Sequence, residues 1–178
     1  MSDKTKNMMK LVMTIERDTI VLYAIMLGLL AIIVGIVFKY NPLLFVSYML
    51  LFTSFDIIGY RYLLNNENNL VNEIQTPAYR VLQNGFMYMF YTLLYLLAGW
   101  PVVLACAVFQ WLGGQDLMYY LFIGESISNR LNWMMWTPYG IIKGLFGAKD
   151  ITKWEFIIQA VVGIIAGNVI ATQLFTQI

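Results

Sequence analysis

Hydrophobic positions along this chain fall in long blocks, not in the stripes of a soluble fold. The first block covers residues 19–38 (TIVLYAIMLGLLAIIVGIVF) and contains no charged side chain. A helix of about 20 apolar residues crosses the roughly 30 Å hydrocarbon core of a bilayer. Blocks of similar character predict helices over 43–60, 80–98 and 155–176. Lys39, Asn41 and Pro42 mark the first turn, and Gly99–Trp100–Pro101 a later one, with proline suited to the first turn of a new helix. The piece 101–112 is too short to span, but joined to 117–124 it is long enough. Residues 101–124 therefore read as one helix interrupted near its middle at Gly113–Gly114.

Two polar stretches and one ambiguous segment complete the pattern. Residues 61–79 form an Asn-rich cytoplasmic loop whose Leu63, Leu64, Leu70, Val71 and Ile74 suit a short surface helix ended by Pro77. Residues 125–132 are polar. Residues 133–147 (WMMWTPYGIIKGLFG) are apolar and aromatic, but Pro138, Gly140, Gly144 and Lys143 interrupt them. They suit an interfacial or re-entrant helix, serving either as an anchor or as a lid over a cytoplasm-facing cavity. The expected fold is an all-α integral membrane protein. It has about five transmembrane helices, the fourth interrupted, plus one cytoplasmic interfacial or re-entrant helix. Residues 1–178 form a single membrane domain without an internal repeat.

Composition sharpens this picture. The chain is 60% hydrophobic and 12% charged, against about 45–50% apolar and about 25% charged in soluble domains. With five spans and residues 1–18 inside, every Lys and Arg except Lys39 falls on the cytoplasmic side. If 133–147 spanned, Lys149 and Lys153 would move outside. The bias thus favours a cytoplasmic N-terminus, an external C-terminus and the plasma membrane. Trp133, Trp136 and Trp154 then mark the cytoplasmic interface and Trp100 the opposite one. The first block is too long for a signal-peptide core, and Phe38, Lys39 and Tyr40 follow it where small residues would be needed for cleavage. It reads as an uncleaved span.

Candidate chemistry is sparse. The sequence contains no histidine, which removes His-ligated metal sites and His general bases. Cys106 is alone, so no intrachain disulfide forms, and its apolar setting reads as a small buried hydrophobe. No cofactor, no metal and no nucleic acid are expected. What remains is two acids well inside predicted spans, Asp56 and Asp116. Keeping a carboxylate in a membrane is expensive, so each is a functional candidate. Around Asp116, the stretch WLGGQDLMYY breaks the helix and supplies Gln110, Trp111, Gln115, Tyr119 and Tyr120 as lining for a substrate site. A broken helix in lipid is tolerated where protein covers it or where it lines a wet cavity. Asp116 either belongs to such a cavity or caps the second half-helix. Asp56 either shares that cavity or pairs with Arg61, with Thr53 as a hydrogen-bond partner. Two acids beside one apolar cavity suit proton transfer, and they serve as catalytic candidates together. Glu125 and Arg130 read as a solvated pair. Gly163, Gly167 and Ala171 form a small-residue face for helix packing, within the chain or against a second copy.

Two fragments resemble membrane-embedded lycopene cyclases. LLFTSFDIIGYRYLL, which holds Asp56, is similar to their helix with an apolar run before an acid. GGQDLMYYLF is similar to their proline–acid–acid–aromatic element, with the proline missing and Gln115 in place of the first acid. About 25 residues are covered, and an additional hydrophobic span separates the two fragments here. The resemblance implies isoprenoid chemistry in which paired acids and aromatic walls stabilise carbocations and supply protons.

Three functions fit these residues. The first is a membrane enzyme acting on a lipid or isoprenoid through its intramembrane carboxylates. The second is an accessory or scaffolding subunit of a larger membrane complex, and the third a small transporter or channel working as an oligomer, since half-helix ends hold substrates in transporters. Membrane lipids are the expected partners, with a homo-oligomer or a larger complex as protein assemblies.

Overall fold

A computed structural model describes the backbone of residues 3–59 and 69–173, and the side chains of residues 18–59 and 78–173. Helix α1 runs Asp3–Val37, α2 Asn41–Gly59, α3 Asn69–Ala98, α4 Trp100–Trp111, α5 Gly114–Ile123, α6 Pro138–Leu145 and α7 Lys153–Gln173. A two-residue strand β1 (Arg130–Leu131) and a 3₁₀ turn (Asn132–Trp136) precede α6, and strand β2 (Ile151–Thr152) follows it. The described chain is thus mostly helical. Four helical segments are long and apolar enough to cross a membrane: Asp18–Val37, Asn41–Gly59, Ala78–Ala98 and Lys153–Gln173.

The break in the fourth long block falls where the glycines predict it. Helix α4 stops at Trp111, α5 starts at Gly114, and Gly113 between them has φ +77°. That left-handed conformation carries a steric cost for residues with a Cβ. At 12 and 10 residues and about 1.5 Å per residue, α4 and α5 together match the thickness of a span. Their contacts agree. Val102 of α4 packs with Leu44 and Ala171, at the start of α2 and the end of α7. Ile123 of α5 packs with Val21 of α1 and Ile57, near the end of α2. The α4–α5 pair therefore runs from one end of the bundle to the other.

Two expectations are corrected. Pro77 does not end a surface helix: α3 continues through it to Ala98. Proline removes one N–H bond and kinks a helix without necessarily ending it. Just beyond it, Tyr79 and Gln83 are buried, and this face of α3 docks on α2. Residues 61–68 of the expected loop, Arg61 included, lie outside the described residues. The second correction concerns 133–147, which is not one helix. Thr137 accepts a hydrogen bond from Gly140 N–H at 3.2 Å and so caps a separate α6 that opens on Pro138.

Residues 130–152 leave the bundle and return to it. Arg130 pairs with Thr152 and Leu131 with Ile151 in an antiparallel ladder, which joins the two ends of the excursion. Leu131, Met134 and Ile151 pack with Leu117, Phe156 and Ala160 of α5 and α7. The excursion thus sits at the end of the bundle where α5 finishes and α7 begins. Helix α6 leaves Ile141, Ile142, Leu145 and Phe146 exposed. Lys143 ties it down, donating to Glu155 Oε2 at 2.8 Å, and that contact raises the Lys143 ammonium above its ordinary range.

Glu155 also closes a capping box at the start of α7. Thr152 N–H donates to Glu155 Oε2 at 2.8 Å, and Glu155 N–H donates to Thr152 Oγ1 at 3.4 Å. Thr152→Ala is expected to cost about 1 kcal/mol, and to speed amide exchange over 130–155 while the rest of α7 keeps its protection. Uniform loss of protection along α7 would contradict a local cap.

The core between α2, α3 and α4 is aromatic. Tyr48 is fully buried and stacks on Phe52 at a ring separation of 5.2 Å, with Phe90 and Phe109 edge-on beside it. Gly167 lets α7 approach: a Cβ there would stand 2.5 Å from Phe45 Cζ and 3.0 Å from the Ala105 carbonyl oxygen. A Cβ on Gly163 would meet Leu112 Cβ at 2.8 Å, and Ala171 is buried against the same helices. The small-residue face thus packs on α2 and α4 within the chain.

Candidate functional site

The α4–α5 break places the two candidate acids beside one cavity. Asp116 lies in the first turn of α5, and α5 packs on α2, which carries Asp56. A cavity of about 340 Å³ is lined by both, together with Tyr79, Arg80, Tyr119, Tyr120, Glu125 and Trp133. A second cavity of about 380 Å³ adjoins it, lined by Arg80, Gln83, Asn84, Gln110, Trp111, Gln115, Trp133 and Trp136 among others. Asp116, Arg80 and Trp133 border both. The structure therefore brings Asp56, Asp116, Gln110, Trp111, Gln115, Tyr119 and Tyr120 around two adjoining cavities, together called the recess.

The two acids are held differently. Asp56 Oδ1 accepts a hydrogen bond from Gln83 Nε2 at 2.5 Å and a second from the Tyr79 hydroxyl. Tyr79 reaches it because Gly59 leaves room: a Cβ there would stand 2.2 Å from Tyr79 Cε2. Thr53 does not serve Asp56, for its Oγ1 is buried without a partner. Asp116 lies in the first turn of α5 and is not its N-cap residue. The cap position is Gly113, without a side-chain hydrogen bond, and among the described residues no side chain hydrogen-bonds Asp116. It sits where the positive end of the helix dipole favours an acid. Arg80 lies near enough to act electrostatically on both acids. Arg130 bridges Asp150 at 3.4 Å, and Glu125 lines the first cavity.

A buried polar chain leads away from the recess. Gln110 Nε2 donates to Gln115 Oε1, Tyr48 donates to Gln110 Oε1 at 3.3 Å, and Tyr48 approaches the Tyr91 hydroxyl at 3.4 Å. These groups link α2, α3, α4 and α5 through hydrogen bonds that an apolar interior strengthens.

Sequence reasoning missed five lining residues of α3: Tyr79, Arg80, Gln83, Asn84 and Met87. The signal was present. Tyr79, Gln83 and Phe86 recur at helical spacing, but the expected stop at Pro77 put this turn at the edge of a loop. Trp133 and Trp136 were expected at the interface and also prove to border the recess. Among the described residues no cluster of acids and cysteines could hold a metal ion.

Comparison with known protein families, characterised proteins and solved structures finds no match to this chain. The function is argued from the geometry of the recess.

Proposed function

We propose that this protein is a membrane-embedded enzyme acting on a lipid or isoprenoid by proton transfer at Asp56 and Asp116. In this reading α1, α2, α3, the α4–α5 pair and α7 are five spans. The N-terminus and the 130–152 excursion lie on the cytoplasmic side of the plasma membrane, as the distribution of Lys and Arg favours. The recess then opens near that face between α3 and the α4–α5 joint, and Trp111, Trp133 and Trp136 stand at its mouth.

The observation that carries the reading is the convergence of the two acids on one recess, although they lie on helices separated by a whole span in the sequence. Two donors on Asp56 Oδ1 suit a carboxylate acting as base, and Asp116, without a side-chain donor, suits the acid. Tyr119, Tyr120 and Trp133 supply aromatic walls that favour a developing cation.

The test is turnover. Wild type and an Asp56→Asn/Asp116→Asn double variant are placed in vesicles of total lipid extract, and every lipid species is compared by mass spectrometry over time. A species consumed by the wild type and untouched by the double variant supports the reading. Identical lipid profiles over many protein equivalents overturn it.

A further inference from the structure

Helix α6 has three sides, and two of them meet protein. Tyr139 and Lys143, one turn apart, face the start of α7. The Tyr139 hydroxyl donates to Glu155 Oε1 at 2.9 Å, and Lys143 Nζ donates to Glu155 Oε2 at 2.8 Å. Gly140 and Gly144, also one turn apart, lie on the 3₁₀ turn. A Cβ on Gly140 would stand 2.6 Å from the Met134 carbonyl oxygen, and one on Gly144 would stand 3.3 Å from Met135 Cε. The third side carries Ile141, Ile142, Leu145 and Phe146. All four are exposed, Leu145 at 81% and Phe146 at 87%. Fully burying such a side chain is worth about 1.5–3 kcal/mol, so this side is made for apolar surroundings.

Its place in the fold says which surroundings. Glu155 stands in the first turn of α7, a helix long and apolar enough to cross a membrane. The two contacts to Glu155 therefore hold α6 at the level where that helix begins. Trp154, in the same turn, is exposed, and so are Trp133 and Trp136 on the chain that leads into α6. Tryptophan gathers at the level of lipid headgroups.

The charges point the same way. The two acids of residues 130–155 are both engaged by cations, Asp150 by Arg130 and Glu155 by Lys143. Among the described residues no ion pair holds Lys149 or Lys153, which follow the Leu145–Phe146 tip in the sequence. The unmatched charge next to the apolar side is thus positive, the complement of a lipid phosphate. A second copy docked through the same side would bring these lysines against their own kind.

We propose that α6 is an interfacial foot seated in an anionic leaflet. Ile141, Ile142, Leu145 and Phe146 enter the boundary between headgroups and acyl chains, about 5–10 Å deep, and Lys149 and Lys153 meet the phosphates of anionic lipids. Trp136, which borders the second cavity, directly precedes the Thr137 cap of α6. The foot therefore stands beside the recess, in the leaflet that faces its mouth. This rests on the reading of α7 as a span, and not on turnover at Asp56 and Asp116.

The experiment uses the full chain in vesicles of phosphatidylcholine and phosphatidylglycerol. Leu145→Cys, Val162→Cys and Ser128→Cys each carry a fluorophore, and Cys106 is fully buried and stays unlabelled. Val162 lies midway along α7 and is half-exposed, and Ser128 is an exposed polar position before β1. They are the acyl and aqueous references. The quenchers are a neutral water-soluble one and lipids spin-labelled near the top of an acyl chain. The Leu145 probe is expected to be quenched by the labelled lipids and shielded from water relative to the Ser128 probe. At equal fractions, labelled phosphatidylglycerol should quench it more than labelled phosphatidylcholine, with local enrichment up to about fivefold per lysine. Lys149→Gln/Lys153→Gln should erase that preference and leave the lipid quenching. A Leu145 probe as open to water as the Ser128 probe, with the Val162 probe quenched from lipid, overturns the foot alone. If the Val162 probe is open to water too, the span reading fails with it. A Leu145 probe shielded from both quenchers also overturns the proposal. Its occupant is then a second copy if diluting the protein in the vesicles restores quenching, and otherwise another part of this chain. Equal quenching by the two labelled lipids overturns the anionic leaflet. Turnover by the Asp56→Asn/Asp116→Asn variant bears on the enzyme reading only.

Discussion

Asp116→Asn is expected to lower turnover by about 10²–10⁴-fold, the range general acid–base catalysis supplies, while the thermal midpoint stays within experimental error. The substitution keeps the shape of the side chain and removes the exchangeable carboxyl proton. Among the described residues no side-chain hydrogen bond to Asp116 would be lost, and α5 is capped at Gly113 without it. Asp56→Asn is the less clean test. Its Oδ1 accepts from Tyr79 and Gln83 across the α2–α3 interface, so an amide there disturbs packing as well as chemistry. The diagnostic result is therefore a fall in rate for Asp116→Asn with retained monodispersity and retained lipid. Unchanged turnover in the single variant would remove Asp116 from the mechanism.

Tyr48→Ala is expected to cost about 3–5 kcal/mol, as deletion of a buried aromatic ring does, whereas Tyr48→Phe should cost about 0.6 kcal/mol and no more than about 1.7, the average and the maximum measured for interhelical hydrogen bonds in membranes. The ring is fully buried among Phe52, Phe90 and Phe109, so its removal leaves a void shared by three helices. The hydroxyl contributes the smaller share because its bonds to Gln110 and Tyr91 are long, at 3.3 and 3.4 Å. Denaturant titration in mixed micelles reads both values. Equal destabilisation by the two substitutions would place the weight on the polar chain and not on packing.

The parts of this structure visible in the sequence are those set by local pattern. The long apolar blocks carry their own length, and Gly113 announced the break because few residue types adopt a left-handed backbone easily. The residues flanking that break were legible as lining for the same reason: a broken helix has to face something other than lipid. Other features depend on partners far along the chain. Asp56 is served by Tyr79 and Gln83 from α3, not by Thr53 from its own helix, and hydrophobic periodicity does not rank those choices. Pro77 misled because helix propensity treats each proline alone, whereas the docking of α3 on α2 begins only two residues later. The β1–β2 ladder was not legible at all, since two residues on each side carry no strand signal.

That ladder has a mechanical consequence. By holding residues 130 and 152 together, it makes the intervening chain a handle whose two roots stay fixed whatever happens along it. A residue gained or lost near Gly147 falls within the handle, between the Lys143–Glu155 tie and the ladder. Yet Trp133 and Trp136, one on the handle's rising limb and the other at the foot of α6, border the recess. The mouth of the recess can thus be reshaped by a part whose length is uncoupled from the bundle, while the acids behind it remain in register.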